Sequence, residues 1–550
     1  MFKPKIFTCL KSYSKEQFYR DIIAGIIVAI IAIPLSVALG IASGVGPEQG
    51  LITATIGGFL VSLLGGSRVQ VAGPTGAFVV IVYGIIEKYG IEGLAIATIM
   101  GGIILVLMGI GKLGSLIKFI PYPITTGFTS GIALVIFSTQ IKDFLGLDIK
   151  KVPSEFIEKW LVYIENFSYL NPQALSLGVL TICILVIVPR INKKIPGALV
   201  AIIITTFIAN IFKLDVNTIG LQFGTIKSQG LHLRTMPIDL NTIQMLLMPA
   251  VAIALLGGVE SLLSAVVADG MIGGNHRSNT ELIGQGIANV FSGLLGGIPV
   301  TGAIARTSAN VKLGGRTPVA GIVHALVVFI IMTFFMPLFS YVPMATLAGI
   351  LIIVAYNMGE WHGFTNLHKY PKSDAFVFLI TFLLTVIIDL IVAIEVGMVL
   401  ASFLFMIRMS RISNTSLVVH SESNWGDELR IPKDKIFKEH VMYYEIEGPF
   451  FFGAADKFIQ AIKVIHSMPK VLILSLKGVP TIDATGYYAL EQFCNECLRS
   501  NTEPIFLGLN EELESRLSKY GFIESVGEHR FYKDLNEAKE YLKGLEFSKN

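Results

Sequence analysis

Two apolar stretches of the chain open with the same kind of interruption. Residues 73–77 read Gly-Pro-Thr-Gly-Ala and residues 298–303 read Ile-Pro-Val-Thr-Gly-Ala, each following a Leu-Leu-Gly-Gly at 63–66 and 294–297. Thr75 and Thr301 therefore begin matching triplets 226 positions apart, and each triplet opens an unusually short hydrophobic segment. Pro74 and Pro299 cannot sit inside a continuous helix, because each lacks an N–H and clashes with the preceding turn. A segment restarting after such a break presents free amide groups and the positive end of its dipole. Paired breaks in two halves of an apolar chain point to a transport site near mid-membrane, and two facing helix starts suit an anion.

The distribution of charge separates the chain into two parts. Residues 1–407 hold 44 of the 83 acidic and basic residues, whereas the 143 residues from 408 hold the other 39. That contrast reads as a membrane domain followed by a soluble one. The expected organisation is an N-terminal segment at 1–21, a transport domain at 22–407, a linker at 408–435 and a second domain at 436–550. A net charge of +3 gives no reason to expect a nucleic-acid partner. Cys9, Cys183, Cys494 and Cys497 form no disulfide framework, and the Cys494–Cys497 spacing lacks a second pair to complete a zinc site. No cofactor is expected. No cleavable signal peptide is read, since the first apolar run leads directly into others.

Fourteen apolar segments follow one another, near 22–43, 49–66, 76–87, 91–111, 122–142, 173–189, 196–212, 246–268, 280–297, 302–312, 317–339, 343–357, 374–391 and 393–407. Several are too short to cross a bilayer alone. The basic N-terminus, Lys112 and Lys118, Arg190 with Lys193 and Lys194, His276-Arg277, Lys369 and Lys372, and Arg408 and Arg411 then share one side. The loop at 143–172, with five acids, falls on the other. The positive-inside rule makes the basic side cytoplasmic, with both termini there. Breaks in the third and tenth segments fit a seven-plus-seven inverted repeat. After Arg411 the pattern becomes α/β: strands at Val441–Ile446, Val471–Leu476 and Pro504–Leu509, with helices at 456–465, 487–499, 511–520 and 536–543.

Nearly the whole chain resembles the SulP family of anion transporters with a C-terminal STAS domain. The resemblance rests on Ile33-Pro34, on Ser67 through Ala77, on Arg306-Thr307-Ser308-Ala309-Asn310 with Gly314-Gly315-Arg316-Thr317, and on Ile482-Asp483-Ala484-Thr485-Gly486. It implies a uracil-permease-like fold with a core of segments 1–4 and 8–11 and a gate of 5–7 and 12–14. It also implies a homodimer in the cell (inner) membrane, and substrate carried between the third and tenth helix starts by an elevator-like shift.

Thr75, Gly76, Ala77, Gly302, Ala303 and Arg306 are the expected substrate-binding residues. Small residues let a ligand reach backbone amides, and an intramembrane Arg is a functional candidate by default, with an Arg306–Glu260 ion pair as the structural alternative. Glu260, with Ser264 one turn on, is the expected coupling-ion site. Sodium-coupled relatives tend to carry Asp, Thr and a hydroxyl where this chain has Glu260, Ser264 and Ile304, which favours a proton over sodium. Pro34 is expected to kink the first helix, Asp269 and Asp389 to be interfacial, and His324 to be a satisfied packing residue. In the STAS part Ala484 stands where a phosphorylated Ser follows the Asp in related regulators, Thr485 is read as the helix cap, and Gly448–Gly453 as an exposed apolar loop. The leading expectation is a secondary active transporter of sulfate-type oxyanions, bicarbonate or dicarboxylates. The alternatives are a nucleobase permease on the same scaffold, which Arg306 disfavours, and an anion channel or sensor signalling through STAS. No nucleophile–base pair or phosphate loop suggests an enzyme.

Overall fold

The computed structural model describes residues 2–544 apart from 116–120, 150–151, 154, 193–194, 225–229, 231, 234–238, 389, 413, 419–439 and 464–467. Asp389, Lys118, Lys193, Lys194 and residues 419–435 of the expected linker lie outside the described residues. The chain forms two compact units, Met1–Val399 and Leu400–Asn550.

In the first unit, the third and tenth segments are short for a common reason. The tenth helix, Ile304–Lys312, has nine residues and reaches about 14 Å, half of a hydrocarbon layer about 30 Å thick. Extended chain leading into it covers the remainder. Thr301–Gly302 (β2) pairs antiparallel with Ala72–Gly73 (β1), matching Ala72 with Gly302 and Gly73 with Thr301. Those bonds satisfy the backbone that Pro74 and Pro299 remove from helix, as a low-dielectric layer requires. The third helix runs from Gly76 and continues into the fourth as Gly76–Ile110, broken only at Gly90, whose φ of 70° and ψ of −176° turn the chain over.

Among the described residues, seven helices are long and apolar enough to cross a membrane. The other segments are shorter helices at Pro47–Leu64, Gly197–Ile211, Ser278–Leu294, Ile304–Lys312, Met344–Met358 and Lys372–Ile387, with the third and fourth fused across Gly90. The first helix starts at Lys15, earlier than expected, because Ser14 accepts the Gln17 amide and caps it. Helix runs through Pro34 without interruption.

Packing divides the segments into two groups. The fourth (within Gly76–Ile110) lies on the eighth (Leu240–Ile272) and ninth (Ser278–Leu294), and the eleventh (Pro318–Phe335) on the first and second. The fifth (Tyr122–Leu145) lies on the twelfth (Met344–Met358) and thirteenth, and the sixth (Pro172–Ile191) on the seventh and twelfth. Close approach in the first group uses small residues: a Cβ on Gly102 would stand 2.6 Å from the Gly286 carbonyl, so the backbones touch.

The second unit is a five-stranded sheet in the order β3 (Asn414–Val418), β4 (Val441–Glu447), β5 (Val471–Gly478), β6 (Glu503–Leu507), β7 (Phe531–Tyr532). All pairings are parallel except β3 on β4. β3 falls inside the stretch expected as linker; its sequence has no strand-like apolar run, and main-chain pairing at the sheet edge is what orders it. Residues 471–476 are buried throughout, as a central parallel strand with both faces covered demands. Leu472, Leu474 and Phe506 face Phe458, Phe493 and Phe522 on one side, while Ile473 and Ile505 pack with Ala538 on the other.

Two expectations change here. Asp483, not Thr485, caps the helix Ala484–Arg499, its carboxylate accepting the Gly486 amide at 2.8 Å. Gly448–Gly453 is not an exposed apolar loop: Phe450 is fully buried in the core, and only Phe452 projects. Cys494 and Cys497 are buried, and burial pushes both thiols up to about 12, which keeps them protonated and poor metal ligands.

Candidate functional site

The two helix starts expected to meet do meet. The third helix begins after Thr75 and the tenth after Ala303, and neither first turn receives a side-chain cap. Their amides and positive dipole ends are thus left for another partner. β1 and β2 lie directly upstream, so the antiparallel pairing that joins the breaks also fixes the starts against each other. Val71 O takes the Ala303 amide at 3.0 Å and Thr307 Oγ1 takes the Val71 amide at 3.1 Å. Gly302 is required because the Gln70 side chain occupies the place of a Cβ, and Gly73 because the Arg306 guanidinium does.

Arg306 lies in the first turn of the tenth helix and is 3% exposed. Its Nη2 donates to Ser36 Oγ on the first helix at 3.1 Å, while the buried Nη1 has no hydrogen-bond partner. The expected alternative, an ion pair with Glu260, does not form. Glu260 instead accepts a 2.9 Å bond from the Thr75 hydroxyl, so the carboxylate is tied to the start of the third helix. Ser264, one turn on, is buried and shares a 3.2 Å bond with Thr307. Ile304 and Ala305 stand exposed beside Arg306. Thr75 is half-buried, and Gly76, Ala77, Gly302 and Ala303 are buried.

Sequence reasoning missed Glu281. It is fully buried at the start of the ninth helix and accepts bonds from five donors: the Gly66 and Ser67 amides at 2.7 and 2.9 Å, Gln70 Nε2 at 2.9 Å, and Ser261 Oγ and Gln285 Nε2 at 3.3 Å. One carboxylate thereby holds the chain entering the third-segment break against the eighth and ninth helices. The signal was present, since a Glu within an apolar run needs a partner, but its donors, two backbone amides and three side chains, are gathered from three separate segments by the fold. Asp21 plays a similar part, accepting from Tyr13 OH at 2.9 Å, Gln17 Nε2 at 2.9 Å, the Arg316 amide at 2.9 Å and Thr317 Oγ1 at 2.5 Å. That explains Gly314–Thr317 as a structural clasp rather than a ligand site.

Two other expectations resolve locally. His324 packs with no exposure, but both ring nitrogens lack partners, so it is not the satisfied residue expected; the apolar wall of the second helix at Gly58, where a Cβ would stand 3.1 Å from Nδ1, offers no acceptor. Asp269 receives the His276 amide at 2.6 Å and its Nδ1 at 2.7 Å, closing the turn between the eighth and ninth helices. Among the described residues no cluster of three metal-ligating side chains occurs.

Residues 18–381 match the sulfate permease family and residues 433–538 the STAS domain. A Bacillus subtilis protein named for sulfate transport, YvdB, is 41% identical over 95% of this chain and 97% of its own length. The bicarbonate transporter BicA of Picosynechococcus is 31% identical over 92% and 91%. Among solved structures, the transmembrane domain of a cyanobacterial bicarbonate transporter BicA superposes with a TM-score of 0.62 at 30% identity, covering 70% of this chain and 98% of that one. Murine Slc26a9, an anion transporter solved in the inward-facing state, superposes with a TM-score of 0.86 over 98% and 94% of the two chains; at 18% identity this likeness speaks for the fold.

Proposed function

The chain belongs to the sulfate permease family, and on that premise we propose that it carries a small anion across the membrane as a proton-coupled secondary transporter. The cargo is a sulfate-type oxyanion or bicarbonate, with dicarboxylates a further class; sulfate and bicarbonate are the anions for which its relatives are named. One observation carries the reading: the buried Arg306 guanidinium has an unpartnered Nη1 beside two uncapped helix starts. The uncapped first turns that follow Thr75 and Ala303 supply directional backbone donors, and Arg306 supplies net charge in a medium that screens it little.

Glu260 supplies the coupling. Its carboxylate is bonded to Thr75 and lacks a paired cation among the described residues. When ionised it opposes a second negative charge at the adjacent helix start; a proton on Glu260 removes that repulsion, so anion and proton load together. Ser264 stands behind it in the hydrogen-bonded framework with Thr307. The two packing groups are the parts that move, core against gate, with the site carried on the core. The transport domain is assigned to 22–407 and the STAS domain to 436–550, joined by 408–435, with 1–21 preceding. Lys and Arg placement puts both termini and STAS in the cytoplasm of a multi-pass inner-membrane protein, and a homodimer is the proposed assembly.

Counterflow of labelled sulfate, bicarbonate, succinate and uracil in proteoliposomes, with imposed pH or sodium gradients, tests the assignment. Exchange of uracil alone would favour the nucleobase alternative. In Glu260→Gln, counterflow persists while uptake loses its response to a pH gradient. Each pH unit is worth about 1.4 kcal/mol, or about tenfold accumulation per coupled proton, so the effect is measurable. Wild-type pH-driven accumulation in that variant would remove Glu260 from coupling.

A further inference from the structure

A cavity of about 300 Å³ lies on the opposite side of the first helix's midpoint from its N-terminus, among the far ends of the first and fifth helices and the start of the twelfth. The helix Phe156–Glu165 contributes Lys159 and Tyr163 to its wall. Both are nearly buried, at 4% and 3% exposure. The Lys159 side chain makes no hydrogen bond or ion pair among the described residues, and the Tyr163 hydroxyl is buried without a partner. Standing one turn apart, they present their donors from the same helix face. A buried ammonium without a compensating acceptor is costly, so its retention in an apolar setting points to a ligand. The charged groups around it are Lys142 and Asp143 of the fifth helix, which also line the cavity, and Glu87, while Tyr83 faces it from the third. Asp143 on the lining and Glu87 behind it balance Lys142 and Lys159, so it is the unpartnered ammonium and hydroxyl, both donors, that suit an anion.

We propose that this cavity is an outer capture site, where Lys159 and Tyr163 hold a small oxyanion before it reaches the helix-start site. The inference rests on the transport reading and on the orientation assigned above, which puts this face outside the cell. The first helix links the two places: Ala38 lines the cavity, and Ser36, which binds Arg306, is two residues away, about 3 Å along the axis. Burial lowers the Lys159 ammonium to about 8, with Glu87 opposing the shift. The cation is therefore present below that value and lost above it, so capture weakens as outside pH rises through about 8.

Two measurements separate this site from the transport reading. In right-side-out vesicles, Lys159→Gln raises the outside KM for sulfate or bicarbonate about tenfold at unchanged influx Vmax, while for efflux the KM is unchanged and Vmax falls in proportion, and Lys159→Arg restores the outside KM and removes the fall in capture above pH 8. Unchanged outside KM, or an equal rise in the KM for influx and efflux, overturns the proposal. Independently of transport, the purified full-length protein is acetylated with a water-soluble succinimidyl ester, and modification of Lys159 is followed by mass spectrometry. Sodium sulfate or bicarbonate slows the reaction relative to sodium chloride at matched ionic strength, in the wild type and equally in Arg306→Ala. No protection, or protection that disappears in Arg306→Ala, sinks the capture site whether or not the protein transports.

Discussion

Replacing Arg306 with alanine is expected to lower anion uptake by about 100-fold or more, the value of a charge-assisted hydrogen bond made in a low-dielectric site. The protein should still fold. Arg306 is 3% exposed, holds Ser36 through Nη2 and leaves Nη1 unpartnered. An uncompensated buried cation costs free energy, so its removal should leave thermal stability unchanged or slightly higher. That pairing of outcomes separates a ligand-binding role from a structural one, because a structural arginine would lose both stability and transport. Lysine at this position keeps the charge but not the fork, and should recover part of the uptake. Melting temperature in detergent and counterflow rate, measured on the same preparation, decide the matter. Wild-type counterflow in Arg306→Ala would leave the two helix starts without their cation.

Glu281→Leu is expected to do the reverse. Its carboxylate satisfies the Gly66 and Ser67 amides and the side chains of Gln70, Ser261 and Gln285. Leucine would abandon all five donors in a dry interior, at a cost of about 3–5 kcal/mol. The loss should appear as a large drop in melting temperature and aggregation on size exclusion. Glu281→Gln keeps one acceptor oxygen and should fall between. A Glu281→Leu protein that melts with the wild type would show that the break before the third helix is held by β1–β2 pairing alone. These two residues are the same kind of sequence event, a charge inside an apolar segment. What differs is the environment: Glu281 is surrounded by donors, and Arg306 is not surrounded by acceptors.

That contrast marks where reading the chain succeeded and where it could not. Segment boundaries, the breaks at Pro74 and Pro299 and the α/β character after Arg411 follow from local chemistry: apolar length, missing amides and strand alternation. Most survived folding within a few residues, while the first helix begins seven residues before the expected bound, at Lys15, and the eighth six before, at Leu240. The partners of polar groups are set by chain segments far apart in sequence. Glu260 was free to pair with Arg306 as far as its spacing went, yet bonds Thr75; His324 lacks the partner expected of it; Phe450, in a Gly-rich loop, is core. Lys159 and Tyr163 were two unremarked residues of the acidic loop at 143–172 until packing walled them into one cavity. The sequence by itself determined the membrane segments and the pair of helix starts, because periodicity and prolines act over one or two turns, and its motifs carried the family resemblance. The tertiary structure alone decided which buried charges are satisfied and which face a cavity, because a hydrogen bond depends on where distant backbone comes to rest.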